Sequence, residues 1–244
     1  MRAPVEPEDS AAMLPLSDGL PARRFPIVTI AIIAANFAVW LFYELPHLES
    51  SVAHASFYPC TVDGSCNGPE PVWISWFTSM FMHGSWGHIL GNMLFLAVFG
   101  KNVEDAFGRT RYLLFYIAGG FAATALQTAM TLLAGTAADA QVPNLGASGA
   151  IAAVLGAYFV LFPGTRVFGL IGIWPVRISA SFFLGFWFLY QLFEANFGLF
   201  ESQANGGGTA FFAHVGGFVF GVVVARFLVA AGRTDPRAAL GTPV

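Results

Sequence analysis

Ala213-His214-Val215-Gly216-Gly217-Phe218-Val219-Phe220-Gly221-Val222-Val223-Val224-Ala225 contains no charged residue, and in it Ala213, Gly217, Gly221 and Ala225 recur at every fourth position. On a helix that spacing stacks small residues into a groove where another helix backbone can come close, as helices pack in lipid. His214 sits one position off the groove. A matching face lies upstream in Ser148, Ala152 and Gly156, again at intervals of four. The two faces predict direct packing of these segments, with Ser148 and His214 at the same end of the pair.

Composition agrees with helices in lipid. Of 244 residues, 56% are hydrophobic and only 10% charged, with a mean hydropathy of +0.66, whereas an ordinary soluble domain is about a quarter charged. The 27 Gly, 26 Phe and formal net charge of −3 exclude a coiled coil, a disordered chain and a basic nucleic-acid binder. Two cysteines are too few for a disulfide-built scaffold. Six charge-poor apolar stretches emerge: Phe25 to Phe42, His88 to Gly100 within a longer run, Tyr112 to Ala134, Ser148 to Phe162, Ile178 to Phe193 and Thr209 to Ala231. The expectation is an all-α polytopic membrane protein of six transmembrane helices. Its fourth span is too short to cross about 30 Å of hydrocarbon and begins inside the membrane or thins it. Residues 1–24 read as a cytoplasmic segment rather than a signal peptide, because the leader is acidic as well as basic and no small-residue cleavage site follows Phe42. Residues 25–231 form the membrane domain, and 232–244 a cytoplasmic tail.

All 11 Lys and Arg fall before span one, between spans two and three, between four and five, or late in span six and after it. The positive-inside rule then places both termini in the cytoplasm. Seven of the 14 acids join the basic residues there, while the other seven and all five His fall on the outer side. Residues 43–87 form the one long outer loop, and its Trp73, Trp76, Phe77 and Phe81 suit the interfacial belt. Cys60 and Cys66 sit in this loop, either as a disulfide or as two free thiols.

Polar groups at membrane depth are costly and mark functional candidates. His83-Gly-Ser-Trp-Gly-His88-Ile-Leu-Gly-Asn92 opens span two, and His88 and Asn92 share a helical face. Gly146-Ala-Ser148-Gly149 opens span four; its serine is either a nucleophile or a simple N-cap. A hydroxyl and an imidazole at the outer ends of spans four and six form a plausible nucleophile and base, with His88 and Asn92 as donors toward an oxyanion. Neither span carries an acid beside them, so the pair is a dyad. Glu104 and Asp105, after span two, read as a solvated cytoplasmic loop or cap whose acids pair with Arg109 or Arg111. A metal or haem site on His83, His88 and His214 is disfavoured, since a five-residue spacing does not put two ligands on one helical face.

Together these residues resemble the rhomboid family of intramembrane serine proteases, from span one to span six. Its His followed by His-x-x-x-Asn is met by His83, His88 and Asn92. Its Gly-x-Ser-Gly is met by Gly146 to Gly149, and its Ala-His-x-x-Gly-x-x-x-Gly by Ala213, His214, Gly217 and Gly221. The resemblance implies Ser148 as nucleophile and His214 as general base. It implies an oxyanion hole of His88, Asn92 and the Ser148 N–H, with His83 anchoring the outer loop and no metal or cofactor. It further implies cleavage of single-span or multi-span membrane substrates near their outer ends, in a bacterial cell (inner) membrane. Span five, with Phe182, Phe183, Phe186, Trp187, Phe188 and Phe193, would be a lateral gate, or else simply a lipid-facing helix. Asn205 to Thr209 would be a mobile cap. An inactive relative that only binds membrane clients is the alternative, disfavoured because both Ser148 and His214 are present. In one departure, Ile74-Ser75 stands where many members carry Trp-Arg, which removes an Arg brace from the outer loop.

Overall fold

The computed structural model describes residues 13–198 and 210–234. A short strand, β1 (Met13–Ser17), precedes α1 (Ile27–Val39), which a π-type turn at Trp40–Glu44 extends. The outer loop holds α2 (Leu48–Ala55), α3 (Cys60–Asp63) and α4 (Val72–Thr78). Next come α5 (Trp86–Phe95), continued through a π-type turn into α6 (Lys101–Phe107), and then α7 (Arg109–Ala134). The short α8 (Ser148–Leu161) leads to strands β2 (Arg166–Ile171) and β3 (Trp174–Ser179). The long helices α9 (Ala180–Gly198) and α10 (Phe211–Ala230) complete the order.

By length and apolarity alone, three helical runs can cross a bilayer: Ile27–Ala55, Arg109–Ala134 and Phe211–Ala230. The surface is apolar where lipid would touch it, with Phe182, Phe186, Leu189 and Phe227 all exposed. The centre of the bundle is α8, buried from Gly149 through Tyr158. A helix apolar on every side is stable only when enclosed, and 14 residues rise only about 21 Å.

Small residues bring the enclosing helices in. A β-carbon on Gly156 would stand 2.1 Å from the Phe218 carbonyl oxygen, one on Gly217 2.1 Å from that of Gly149, and one on Gly221 2.0 Å from that of Ala153. The groove of α10 is the one its spacing predicts. On α8 the seam runs through Gly149, Ala153 and Gly156, with Ala152 at its edge, so the expected Ser148-Ala152-Gly156 face is displaced by about one position. The shift leaves Ser148 beside the seam rather than under it.

Two expectations are corrected at the opposite end. The chain is mostly helical, but not all-α: β1, β2 and β3 form an antiparallel sheet in that order. Of the readings of Glu104, the cap holds, whereas solvation and pairing with Arg109 or Arg111 do not. Glu104 is buried and accepts from the backbone N–H groups of Val28 (3.1 Å) and Thr29 (2.8 Å) and from the Thr29 hydroxyl (2.8 Å). A carboxylate there satisfies the open donors at the start of α1, which no N-cap side chain serves. Asp105 accepts from the Arg23 backbone N–H at 2.9 Å. Asp18 is likewise buried, 3.0 Å from Lys101 Nζ, accepting from the Tyr158 hydroxyl at 2.9 Å and from the Asn102 amide. This cluster ties the segment after β1 to the bundle.

Candidate active site

At the other end of α8, the outer loop is pinned at several points. Cys60 and Cys66 form a disulfide. Phe57 and Asn144 exchange backbone hydrogen bonds of 3.0 and 2.7 Å, and the Thr78 hydroxyl donates to the Ala55 carbonyl at 2.8 Å. Glu44, fully buried, accepts from the His83 backbone N–H at 2.6 Å. These contacts brace a loop that lacks the Trp-Arg pair. Trp76 packs between Phe57 and Phe121, whereas Trp73 and Phe77 stay exposed, as an interfacial belt requires.

His83 is fully buried, its Nδ1 lies 3.3 Å from the Phe81 carbonyl oxygen, and its ring meets that of His88 edge-on at 5.0 Å. Burial first, and the neighbouring His88 second, lower its pKa to about 3, so two imidazoles pack here without like-charge repulsion. Ser85 caps α5: its Oγ accepts from the His88 backbone N–H at 3.1 Å. The cap fixes the first turn, from which His88 projects and, one turn on, Asn92.

The Gly84 backbone N–H donates to His88 Nδ1 over a long 3.4 Å. With Nδ1 accepting, the neutral ring carries its proton on Nε2. That nitrogen lies 2.8 Å from where a β-carbon of Gly146 would stand, and Ser148 Oγ lies 3.6 Å from the same point. Gly146 also has φ +123°, a backbone state that residues with side chains rarely adopt. Asn92 is buried, and among the described residues its Nδ2 has no hydrogen-bond partner. An unpaired buried donor is costly unless some acceptor arrives.

Ser148 is the first residue of α8, and Ala147 occupies the N-cap position without a side-chain cap. The hydroxyl is therefore not serving as an N-cap. Among the described residues it has no hydrogen-bond partner, and the residue faces a cleft lined in part by Ser79, Gln127, Asn144, Gly146 and Ala213. A β-carbon on Gly149 would stand 2.6 Å from the Ala123 methyl on α7 and 3.8 Å from the Ala213 methyl on α10. Ser148 and His214 thus stand at the same end of α8 and α10. His214 is buried and bonded elsewhere: its Nδ1 lies 2.7 Å from Gln191 Oε1 on α9, and its ring packs on Trp187 at 5.8 Å. Among the described residues, no hydrogen bond joins Ser148 Oγ to His214.

Of the residues singled out in the sequence, His83, His88, Asn92, Gly146, Ser148, Gly149 and His214 gather at this end, whereas Gly217 and Gly221 set the depth of α10 below it. Sequence reading missed Ser85 and Gln191. The signal for Gln191 was there: it is a single amide in the apolar run from Phe182 to Phe193. Asn205 to Thr209, read as a cap, lie outside the described residues.

The bundle, with His88, Asn92, Ser148 and His214 toward one end of it, defines a polytopic membrane protein built around a half-length central helix. The chain belongs to the rhomboid family, whose Rhomboid domain profile matches residues 70–231. It is similar to "Putative rhomboid protease YdcA" of Bacillus subtilis (strain 168), 29% identical over 139 residues, which is 57% of this chain and 64% of that one. It is also similar to Rhomboid-like protein 11, chloroplastic, of Arabidopsis thaliana (27% over 123 residues, 49% of this chain and 37% of that one). A third relative is Rhomboid-related protein 2 of Mus musculus (25% over 209 residues, 82% and 63%). In each case the match spans less than two thirds of the relative's own length.

Proposed function

We propose that this chain is an intramembrane serine endopeptidase that cuts membrane-spanning substrates near their outer ends. The observation that carries this reading is the convergence of three separate stretches on one point: His88 Nε2 and Ser148 Oγ both face Gly146, while Gly149 meets Ala213 next to His214. Ser148 attacks the scissile carbonyl and His214 takes its proton. His88 Nε2–H, the unpaired Asn92 amide and the Ser148 backbone N–H receive the oxyanion, each donor worth roughly 2.7 to 4 kcal/mol by analogy with soluble serine proteases. The six-span arrangement, with residues 25–231 as the protease domain, and cytoplasmic termini rest on the distribution of Lys and Arg. The Cys60–Cys66 disulfide supports the same orientation, because disulfides persist where the surroundings are oxidising.

A fluorophosphonate probe applied to membranes containing the full chain tests the reading. We expect one adduct, mapped by peptide mass to Ser148 and absent from His214→Ala. A chain that neither takes the probe nor cleaves a single-span reporter would instead be an inactive client binder. Gly146→Ala gives a sharper result. Its methyl would stand 2.8 Å from His88 Nε2 in a backbone state unfavourable to any side chain. Reporter cleavage should fall about a hundredfold or more, the cost of losing an oxyanion donor; unchanged turnover would remove His88 from the oxyanion site.

A further inference from the structure

We infer that Gln191 is the positioning residue that holds His214 in the tautomer a general base needs. The inference rests on the reading of His214 as that base.

Gln191 is a buried amide on α9, in a helix otherwise lined here by Phe183, Trp187 and Phe188 against the bundle. An amide in such surroundings costs free energy unless paired, and its partner is His214 Nδ1 at 2.7 Å. An amide oxygen only accepts, so the imidazole must donate through Nδ1–H, leaving the Nε2 lone pair free to take a proton. Were the amide turned over, its NH2 would need Nδ1 as acceptor, and the proton would move to Nε2, where it would block base catalysis. Trp187, one turn before Gln191, lays its ring on the imidazole, so two residues of α9 fix both the plane and the tautomer of a side chain carried by α10. No acid need serve as the third member: the acceptor is neutral, which orients the base without adding charge at membrane depth.

Other ionisable groups toward this end are His88 on α5, His83 before it with its partner Glu44, Asp139 between α7 and α8, and Glu194 on α9, one turn beyond Gln191. Tyr158 on α8, Arg109 and Arg111 on α7 and Arg226 on α10 lie far along their helices, away from Ser148 and His214.

Gln191→Met keeps the length of the side chain and removes the acceptor; Gln191→Glu keeps the acceptor and adds charge. With full-length protein in liposomes and a single-span reporter, Gln191→Met should lower kcat about ten- to a hundredfold, as loss of an orienting partner typically does. KM should stay unchanged, and the acidic limb of the kcat–pH profile should move to lower pH. Gln191→Glu should retain turnover and move that limb to higher pH, because a carboxylate favours the protonated imidazole. Nitrogen-15 spectra of His214 should show Nδ1 protonated in the wild type and a tautomer mixture in Gln191→Met, whatever the activity. Wild-type kcat, limb and spectra in Gln191→Met would overturn the inference alone. A Ser148→Ala protein that still cleaves would refute the protease reading and take the inference with it.

Discussion

Ser148→Ala and His214→Ala are each expected to reduce reporter cleavage to background, and the double variant to be no worse than either. In soluble serine hydrolases, loss of the nucleophile or its base costs about 10⁶-fold in kcat, and losing both costs about the same, because the two act as one unit. The proposed unit is split between α8 and α10, whose backbones touch at Gly149, Ala153 and Gly156, so its geometry would be set by helix packing rather than by a loop. Neither residue lies on that seam: Ser148 opens to the cleft and His214 turns to α9. Ser148→Ala should therefore leave the thermal midpoint in detergent within a few degrees of the wild type, whereas His214→Ala, which strands the buried Gln191 amide without its partner, should lower it further. His88→Ala and Asn92→Ala should be milder, about 10²- to 10³-fold each. Independent, multiplying effects of Ser148→Ala and His214→Ala, or substantial cleavage by either, would refute the dyad.

Much of this arrangement is legible in sequence because lipid makes both polarity and smallness expensive to misplace. His88, Asn92, Ser148 and His214 stand out against apolar neighbours, and the four-residue recurrence of Gly217, Gly221 and Ala225 announces a close helix contact. What escaped depends on pairing at a distance. Glu104 reads as a loop or cap acid paired with Arg109 or Arg111 until its partners, backbone N–H groups 75 and 76 residues upstream, are known. The β2–β3 hairpin turns at Gly172, with φ +58°, a left-handed state that glycine enters without strain. Its apolar residues, adjoining two membrane helices, read as loop between spans. Gln191 was hidden among aromatics. A residue-by-residue hydropathy reading averages such an amide away, whereas asking which buried amide lacks a local partner would have found it.

Gly221→Ala is expected to be the most damaging small substitution outside the candidate site. The added methyl carbon would stand 2.0 Å from the Ala153 carbonyl oxygen and 2.8 Å from its carbon, contacts with backbone that no rotamer change relieves. Helix α10 must move off α8, opening a seam along which Gly217 and Gly156 make equally close approaches. Overpacking of this kind costs about 1–3 kcal/mol and occasionally more, or roughly 2–12 °C in thermal midpoint for a chain of this size. Gly185→Ala on α9 is the control: its β-carbon would meet only a Phe159 ring carbon at an ordinary 3.7 Å, and exchanging a helical glycine for alanine is worth roughly 0.5–1 kcal/mol of stabilisation. Because α10 carries His214, its displacement should also cost activity beyond what unfolding explains: a shift of about 1 Å in a reacting group lowers turnover on the order of a hundredfold. Thermal melts in detergent and cleavage by the still-folded fraction separate the two effects. Equal midpoints for Gly221→Ala and Gly185→Ala would show that the two helices do not meet at this depth. A lowered midpoint with full turnover in the folded fraction would show that the position of His214 is set elsewhere than at this seam.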